Sequence, residues 1–455
     1  MTILREYAAY AGRTGFEDIP GDLVELAKLS IMDTAGVACN AAATEEAARF
    51  RSYAAEQFGH RREASVIGDS TRLTTAGAAF LNGALAHIDD YDEVSLPGHA
   101  AVATVPAALA LAESRGLDGR ELLRIYILGL ELSFRLAGAM VDKLWVAGWH
   151  TTPVFGTMAC AAMAAMAMKL PPAAFADALG LAASRASGLQ ANFGTMAKPF
   201  HVGMAGVNGI DSADLARHGI DANRGVLEAP RGYADCFIRD AEAARGISFG
   251  HGWEIRRNGM LFKKYPCCVA SHSAIETMAR MVREHGLAAG SVDSVLVGLD
   301  QVSMGCMQYP MPENSLQAKF SMSFPLAMVL LNGVLGPADF SDETVARPDV
   351  RAVMGVIGAE AADAFRAVYS DPDIPCLIRV TLKNGAVLEE RGKLPYFGPD
   401  CWNNPAPPEA VREKFTVCAG KALGNAGARR ALDLLSSLES HKTTHELMAA
   451  LTPRS

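Results

Sequence analysis

The sequence predicts a mainly α protein: a large all-helical domain carrying a smaller inserted α+β lid domain. Three observations predict it. Up to about residue 290, apolar residues recur at helical spacing in segment after segment, and strand-like alternation is almost absent. The texture then changes to Val-rich alternation and an Asn-Gly turn. The tail is helical again, as expected of a chain that leaves a bundle and returns to it. The division that follows is 1–262 for the helical domain, 263–399 for the lid and 400–455 for a helical tail that rejoins the first domain. With 455 residues the chain is too long for one simple core.

The elements follow in order. "GDLVELAKLSIMDTAGVACNA" opens the bundle. "LTTAGAAFLNGALAHIDDYDEV", "VATVPAALALAESRG", "GRELLRIYILGLELSFRLAGAM" and "PVFGTMACAAMAAMAMKL" repeat its pattern, as do "PAAFADALGLAASRASGL" and "PFHVGMAGVNGIDSADLARHG". Alanine and glycine dominate their faces, which lets backbones approach closely. In the lid, "SVDSVLVGLDQVS" reads as a strand, and "IRVTLKNGAVLEERG" as a hairpin turning at Asn384-Gly385. Helical "ETMARMVREHG" precedes the strand, and helical "SMSFPLAMVLLNG" lies between it and the hairpin. The tail helices are "PPEAVREKFTVCAGKALG" and "ARRALDLLSSLES".

Composition excludes several function classes. The formal net charge of −8, without a basic tract, argues against nucleic-acid or anionic-membrane partners. Nine cysteines without CxxC spacing read as reduced, mostly buried thiols of a cytoplasmic protein. The N-terminus lacks the apolar run of a signal peptide. "TMACAAMAAMAMKL" is too short and too alanine-rich to span a bilayer. The chain has no P-loop, no GxGxxG after a strand, no HExxH and no GxSxG.

What remains is a set of basic residues at helix starts. In "GTMAKPFH", Lys198 precedes Pro199, a favoured first helical residue, and His201 falls in the first turn. "GWHTTPVFG" puts His150 before Thr152, a candidate N-cap, and Pro153, a candidate first helical residue. "PCCVASHSAIE" puts His272 before Ser273, which matches a capping box with Glu276. "SLPGHAAVATVP" puts His99 where a Pro-Gly loop enters a helix. Helix N-termini carry partial positive charge, so lysine and imidazoles gathered there suit an anion. Asp89, Asp90 and Glu93 fit a DDxx(D/E) pattern that could hold Mg²⁺ for diphosphate chemistry. A second metal-binding motif is missing and aromatics are only 7%, so a polar helix end is the better reading.

These stretches resemble the MmgE/PrpD family. "NGALAHIDDYDEV" is similar to its NGxxAHxxDFDDTH segment and "HAAVATVPAALALAE" to its HPGxxVVPAALALAE. "GWHTTPVFGT", "GTMAKPFHVG", "YPCCVASH", "AKFSMSFPLAMVLLNG" and "NNPAPPEAVREKF" match further blocks in order. The resemblance implies a homodimer, an active site between the domains, and no metal or organic cofactor. It also implies that Asp90, His99, His150, Lys198 and His272 act in catalysis, with Lys198 and His201 binding substrate. Three positions depart from the pattern. Val94 replaces a threonine, Ser95 a histidine, and Phe324 the tyrosine of the decarboxylase branch. The implied chemistry is proton transfer at a carbon next to a carboxylate of a small di- or tricarboxylate. A lyase eliminating water or CO₂ comes first, and a dicarboxylate epimerase using the same groups second. A non-catalytic helical scaffold is the third reading.

Overall fold

The computed structural model describes residues 1–362, 365, 374–394 and 408–453. Helices come first: α1 (Ile3–Arg13), α2 (Gly21–Ala41), α3 (Glu45–Phe58), α4 (Thr75–Ile88), α5 (Ala100–Arg115), α6 (Gly119–Val146), α7 (Thr151–Ala167), α8 (Pro172–Ala183) and α9 (Ala197–Arg217). Short α10 (Tyr233–Ile238) and α11 (Glu254–Asn258) follow. Two-residue ribbons interrupt them: β1 (Ala64–Ser65) with β2 (Arg72–Leu73), and β3 (Val94–Ser95) with β4 (Met260–Leu261). The second part holds α12 (His272–His285), β5 (Val292–Leu299), α13 (Gln301–Cys306), α14 (Ser315–Ala318) and α15 (Ser323–Asn332). It continues with α16 (Asp342–Ala346), α17 (Pro348–Met354), β6 (Ile357–Ala361), β7 (Cys376–Leu382) and β8 (Val387–Gly392). The tail is α18 (Pro408–Ser436) and α19 (His445–Ala450). The protein is mainly helical, with a smaller C-terminal part built on a mixed four-stranded sheet.

That sheet has the order β6-β5-β7-β8. β5 pairs parallel with β6 and antiparallel with β7, which pairs antiparallel with β8. The hairpin forms where Asn384-Gly385 marked it. Gly385 N–H donates to Leu382 O, and Gly385 takes a φ of 85°, which glycine adopts without a Cβ clash. β6 had no alternation to announce it; its exposed side carries Glu360 and small residues.

Two large hydrophobic clusters divide the described residues, with a small third one of Val94, Leu261, Ile374 and Leu394. One gathers the side chains of α1 to α9 together with Val411, Phe415, Cys418 and Leu435 of α18. The other lies under the sheet, around α12 and α15. Lys414 of α18 pairs with buried Asp33 of α2 at 2.7 Å, and the Phe415 backbone crosses Gly36 so closely that a Cβ there would lie 3.1 Å from it. The start of the closing sequence block, residues 403–407, lies outside the described residues, as does the 399/400 boundary.

Candidate active site

Small residues set the position of Lys198. A Cβ on Gly203 would meet Phe80 O of α4 at 2.6 Å, and one on Gly209 would meet Cys160 Cβ of α7 at 2.4 Å. Helix α9 is therefore clamped between α4 and α7, and its N-terminus cannot drift. The three predicted helix starts are each corrected by two residues. Pro153 and Pro199 are third, not first, in α7 and α9, with His150 as N-cap of α7. Proline is tolerated there because N–H groups of a first turn have no intrahelical acceptor. Ser273 is no cap: α12 begins at His272, and Glu276 instead accepts from Lys264 and Tyr265.

The loop after α4 supplies the acids. Asp90 takes a positive φ of 49°, a conformation that costs a non-glycine residue about 1–2 kcal/mol. Its carboxylate is held from two sides. Lys198 Nζ reaches Oδ1 at 2.6 Å, and Lys263 Nζ reaches Oδ2 at 2.8 Å and the Asp90 carbonyl at 2.7 Å. Burial alone would raise the Asp90 carboxyl; the two lysines outweigh it and hold it well below the usual range. Lys263 arrives by way of the β3–β4 ribbon, which pairs Val94 with Leu261.

Asp92 holds two imidazoles. His87 Nδ1 donates to Oδ1 at 2.9 Å, and His99 Nδ1 donates to Oδ2 at 2.6 Å. Both rings then carry an unprotonated Nε2. That of His87 accepts from Lys198 Nζ at 2.6 Å. That of His99 makes no hydrogen bond among the described residues. Burial, followed by Lys198, pushes His87 down to about 3. Burial also lowers His99, against the pull of Asp92. His150 lies 6.0 Å from His87, ring to ring, and its Nδ1 meets His201 Nδ1 at 3.3 Å. Burial and then Lys198 hold His150 well below its usual value, and its buried Nε2 has no hydrogen-bond partner. All these imidazoles are neutral at pH 7.

These groups open on one cavity, about 680 Å³ of empty space including its mouth. Asp90, His99, His150 and Lys198 line it from the helical part, with Val94, Trp145, Thr151, Thr152 and Phe193. Cys268, Val269, Ala270, Asp300, Val302, Ser303, Cys306, Phe320 and Ile374 line it from the other side. His201 and His272 do not line it. His201 stands behind His150, and burial with Lys198 lowers it to about 4. His272 is buried beside Tyr265, its Nε2 3.3 Å from Cys267 O and its Nδ1 unpartnered. Phe324 does not line the cavity either; it packs edge-on against Phe340 in the second hydrophobic cluster.

The chain matches the MmgE/PrpD N-terminal domain over residues 5–245 and the MmgE/PrpD C-terminal domain over 265–440. It belongs to the MmgE/PrpD family. Family relatives include the cis-aconitate decarboxylase of Homo sapiens, 27% identical over 441 residues, which span 92% of this chain and 88% of that protein. The cis-aconitate decarboxylase of Aspergillus terreus is 27% identical over 473 residues, 96% of this chain and 93% of that protein. Among the described residues no helix is long and apolar enough to cross a membrane.

Asp300 of this MmgE/PrpD cavity was not singled out from sequence, nor were His87, Asp92 and Lys263, which do not line it but hold the groups that do. His87 and Asp92 sit inside "AHIDDYDEV", where nothing local says which acid meets which imidazole. Lys263 and Lys264 are neighbours, yet Lys263 is 1% exposed and Lys264 pairs with Glu276 at the surface. The DDxx(D/E) trio does not converge. Asp89 pairs with Asn40 and Lys319, and Glu93 accepts from Ala101 N–H. His87, Asp90, Asp92 and His99 do offer ligand atoms within 4.8 Å of one another. A dication there would have to displace Lys198 and Lys263 from Asp90.

Proposed function

We propose that the protein is a cofactor-independent lyase. It acts on a small di- or tricarboxylate by proton transfer at a carbon next to a carboxylate. One observation carries this reading: His99, fixed through Nδ1 by buried Asp92, keeps an open Nε2 in the same cavity as Lys198. An imidazole in that state is a general base, worth roughly 10²–10⁴-fold. His99 Nε2 takes the proton, and Asp92 stabilises the imidazolium that forms. Lys198 receives the enediolate-like charge, aided by His150 Nε2–H when His201 donates to His150 Nδ1. Loss of a β-hydroxyl as water, with the His99 proton returned to it, completes a dehydration. In a decarboxylation the C–CO₂ bond breaks first and the carbon takes a proton from an already protonated base. The lowered His99 pKa disfavours that order, as does the missing hydroxyl at Val94. His201 and His272 stay in the proposal, the first as a support for His150, the second as a proton-transfer candidate to be tested by His272→Ala.

A second reading is an epimerase. Two imidazoles with uncommitted Nε2 atoms, His99 and His150, face one cavity, and epimerisation needs two groups on opposite faces of one carbon. We also propose the division 1–262, 263–399 and 400–455 and a homodimeric, cytoplasmic protein. Proton NMR of a di- and tricarboxylate panel in D₂O tests the function. Loss of water or CO₂ supports the lyase, and deuterium exchange without either supports the epimerase. Neither reaction on any member would sink both.

A further inference from the structure

The cavity contains a carboxylate that the proton-transfer chemistry leaves unused. Asp300 ends β5 and caps α13, its Oδ1 accepting from Val302 N–H at 2.8 Å and Ser303 N–H at 2.9 Å. A cap needs only one oxygen. The second, Oδ2, has no hydrogen bond and no cation among the described residues, although Asp300 is 2% exposed and lines the cavity. The nearby lysines are committed. Lys198 and Lys263 bind Asp90, and Lys319 pairs with Asp89. The histidines there are neutral, since burial lowers each of them. The lining therefore sets Asp90, already paired with Lys198 and Lys263, beside Asp300, which no described cation pairs with. A carboxylate oxygen that faces a cavity without a cation accepts a donor readily, and a second anion brought against it is repelled.

We propose that Asp300 determines specificity. It accepts a hydrogen bond from a hydroxyl or a protonated nitrogen of the substrate and repels a third carboxylate from that end of the cavity. The preferred substrate class is a small dicarboxylate bearing such a donor, rather than a tricarboxylate. This rests on the proton-transfer reading of the cavity and narrows its substrate. Asp300 acts through recognition, while His99 and Lys198 act on the reacting carbon.

The test is calorimetric titration of the full chain and of Asp300→Asn and Asp300→Ser. The probes are cis-aconitate, malate and aspartate. Both replacements keep an oxygen for the cap, and a thermal melt checks that each variant is folded. The wild type is expected to prefer malate or aspartate to cis-aconitate, and the better of the two distinguishes hydroxyl from nitrogen. Asp300→Asn should tighten cis-aconitate by about tenfold or more and weaken the preferred dicarboxylate by a similar factor. Parallel changes for all probes, no change, or a wild type that binds neither malate nor aspartate would overturn the proposal. Lys198→Met separates the two ideas. If it binds every probe as the wild type does, the proton-transfer reading fails, whatever Asp300 does.

Discussion

The two walls of the cavity differ in what their polar groups are bound to. On the helical wall, Asp90 holds two lysines and Asp92 two imidazoles, and Lys198 bridges His87 to Asp90. On the wall from the C-terminal part, Val269, Ala270, Val302, Phe320 and Ile374 supply apolar surface, and Asp300 keeps an oxygen free. The first wall is preorganised: its charges are fixed before a substrate arrives, so they need not reorganise as charge develops. The second is a shaped surface with one selective group. On the proposed reading, the chemistry belongs to the clamped helices and the choice of substrate to the part that differs most from them in fold.

That comparison can be broken. Replacing His99 by alanine should give the largest loss, about 10²–10⁴ in kcat, with substrate binding nearly retained. A loss confined to KM would move His99 from chemistry to binding. Next comes Lys198→Met, which should remove ~2–5 kcal/mol of transition-state stabilisation, read as kcat/KM, while Lys263 keeps Asp90 paired and the fold intact. Wild-type rates from that variant would end the anion-site argument.

The stability of the fold should depend on pH in a specific sense. Folding lowers His87 to about 3, His272 to about 3 and His201 to about 4, and lowers His99 and His150 as well, from an unfolded value near 6.5. Below pH 6.5 the unfolded chain therefore binds more protons, so stability rises as pH rises toward that value and the gain is complete above it. Each such proton contributes at most about 1.4 kcal/mol per pH unit. Glu93, raised by burial to about 8, and Glu131, raised by burial to about 7, act in the opposite sense above pH 4.5. Five imidazoles outweigh two carboxyls to just above pH 6.5, and about a unit beyond it only the carboxyls remain. The thermal midpoint should peak near pH 6.5 and decline toward 8. A midpoint still climbing at pH 8 would contradict this.

The lid-side wall should respond more mildly. Val302→Ala enlarges it by two methyl groups, and about a tenfold shift in relative kcat/KM toward bulkier substrates is expected, with kcat on the best substrate little changed. A collapse of kcat would mean that this wall shares in the chemistry. The smallest effect expected is none: dialysis against EDTA should leave turnover unchanged, because Lys198 and Lys263 occupy the Asp90 carboxylate that a dication would need. Metal-dependent loss would reverse that assignment.

Much of the architecture was legible because its signals are local. The predicted span Gly21–Ala41 is α2 residue for residue, and Asn384-Gly385 turns a hairpin. β6 was not legible, since small and charged residues in a five-residue edge strand leave no period to read. At the site, His99, His150 and Lys198 could be picked out as polar groups in apolar, helix-starting company, and Asp90 through the family resemblance. His201 and His272 have the same local appearance, yet neither lines the cavity.

By itself the sequence determined the helices, the family and the kind of residue that would gather. Periodicity, capping and turn chemistry act over a few residues, and family blocks are read in order along the chain. Only the tertiary structure decided the partners. Lys263 meets Asp90 across 173 positions, and Lys198 meets His87 across 111. Which ammonium neutralises which carboxylate, and which imidazole keeps a free nitrogen, depends on distances of a few ångströms between elements remote in the chain. Ion pairing is a property of those distances, and no spacing along the sequence encodes them.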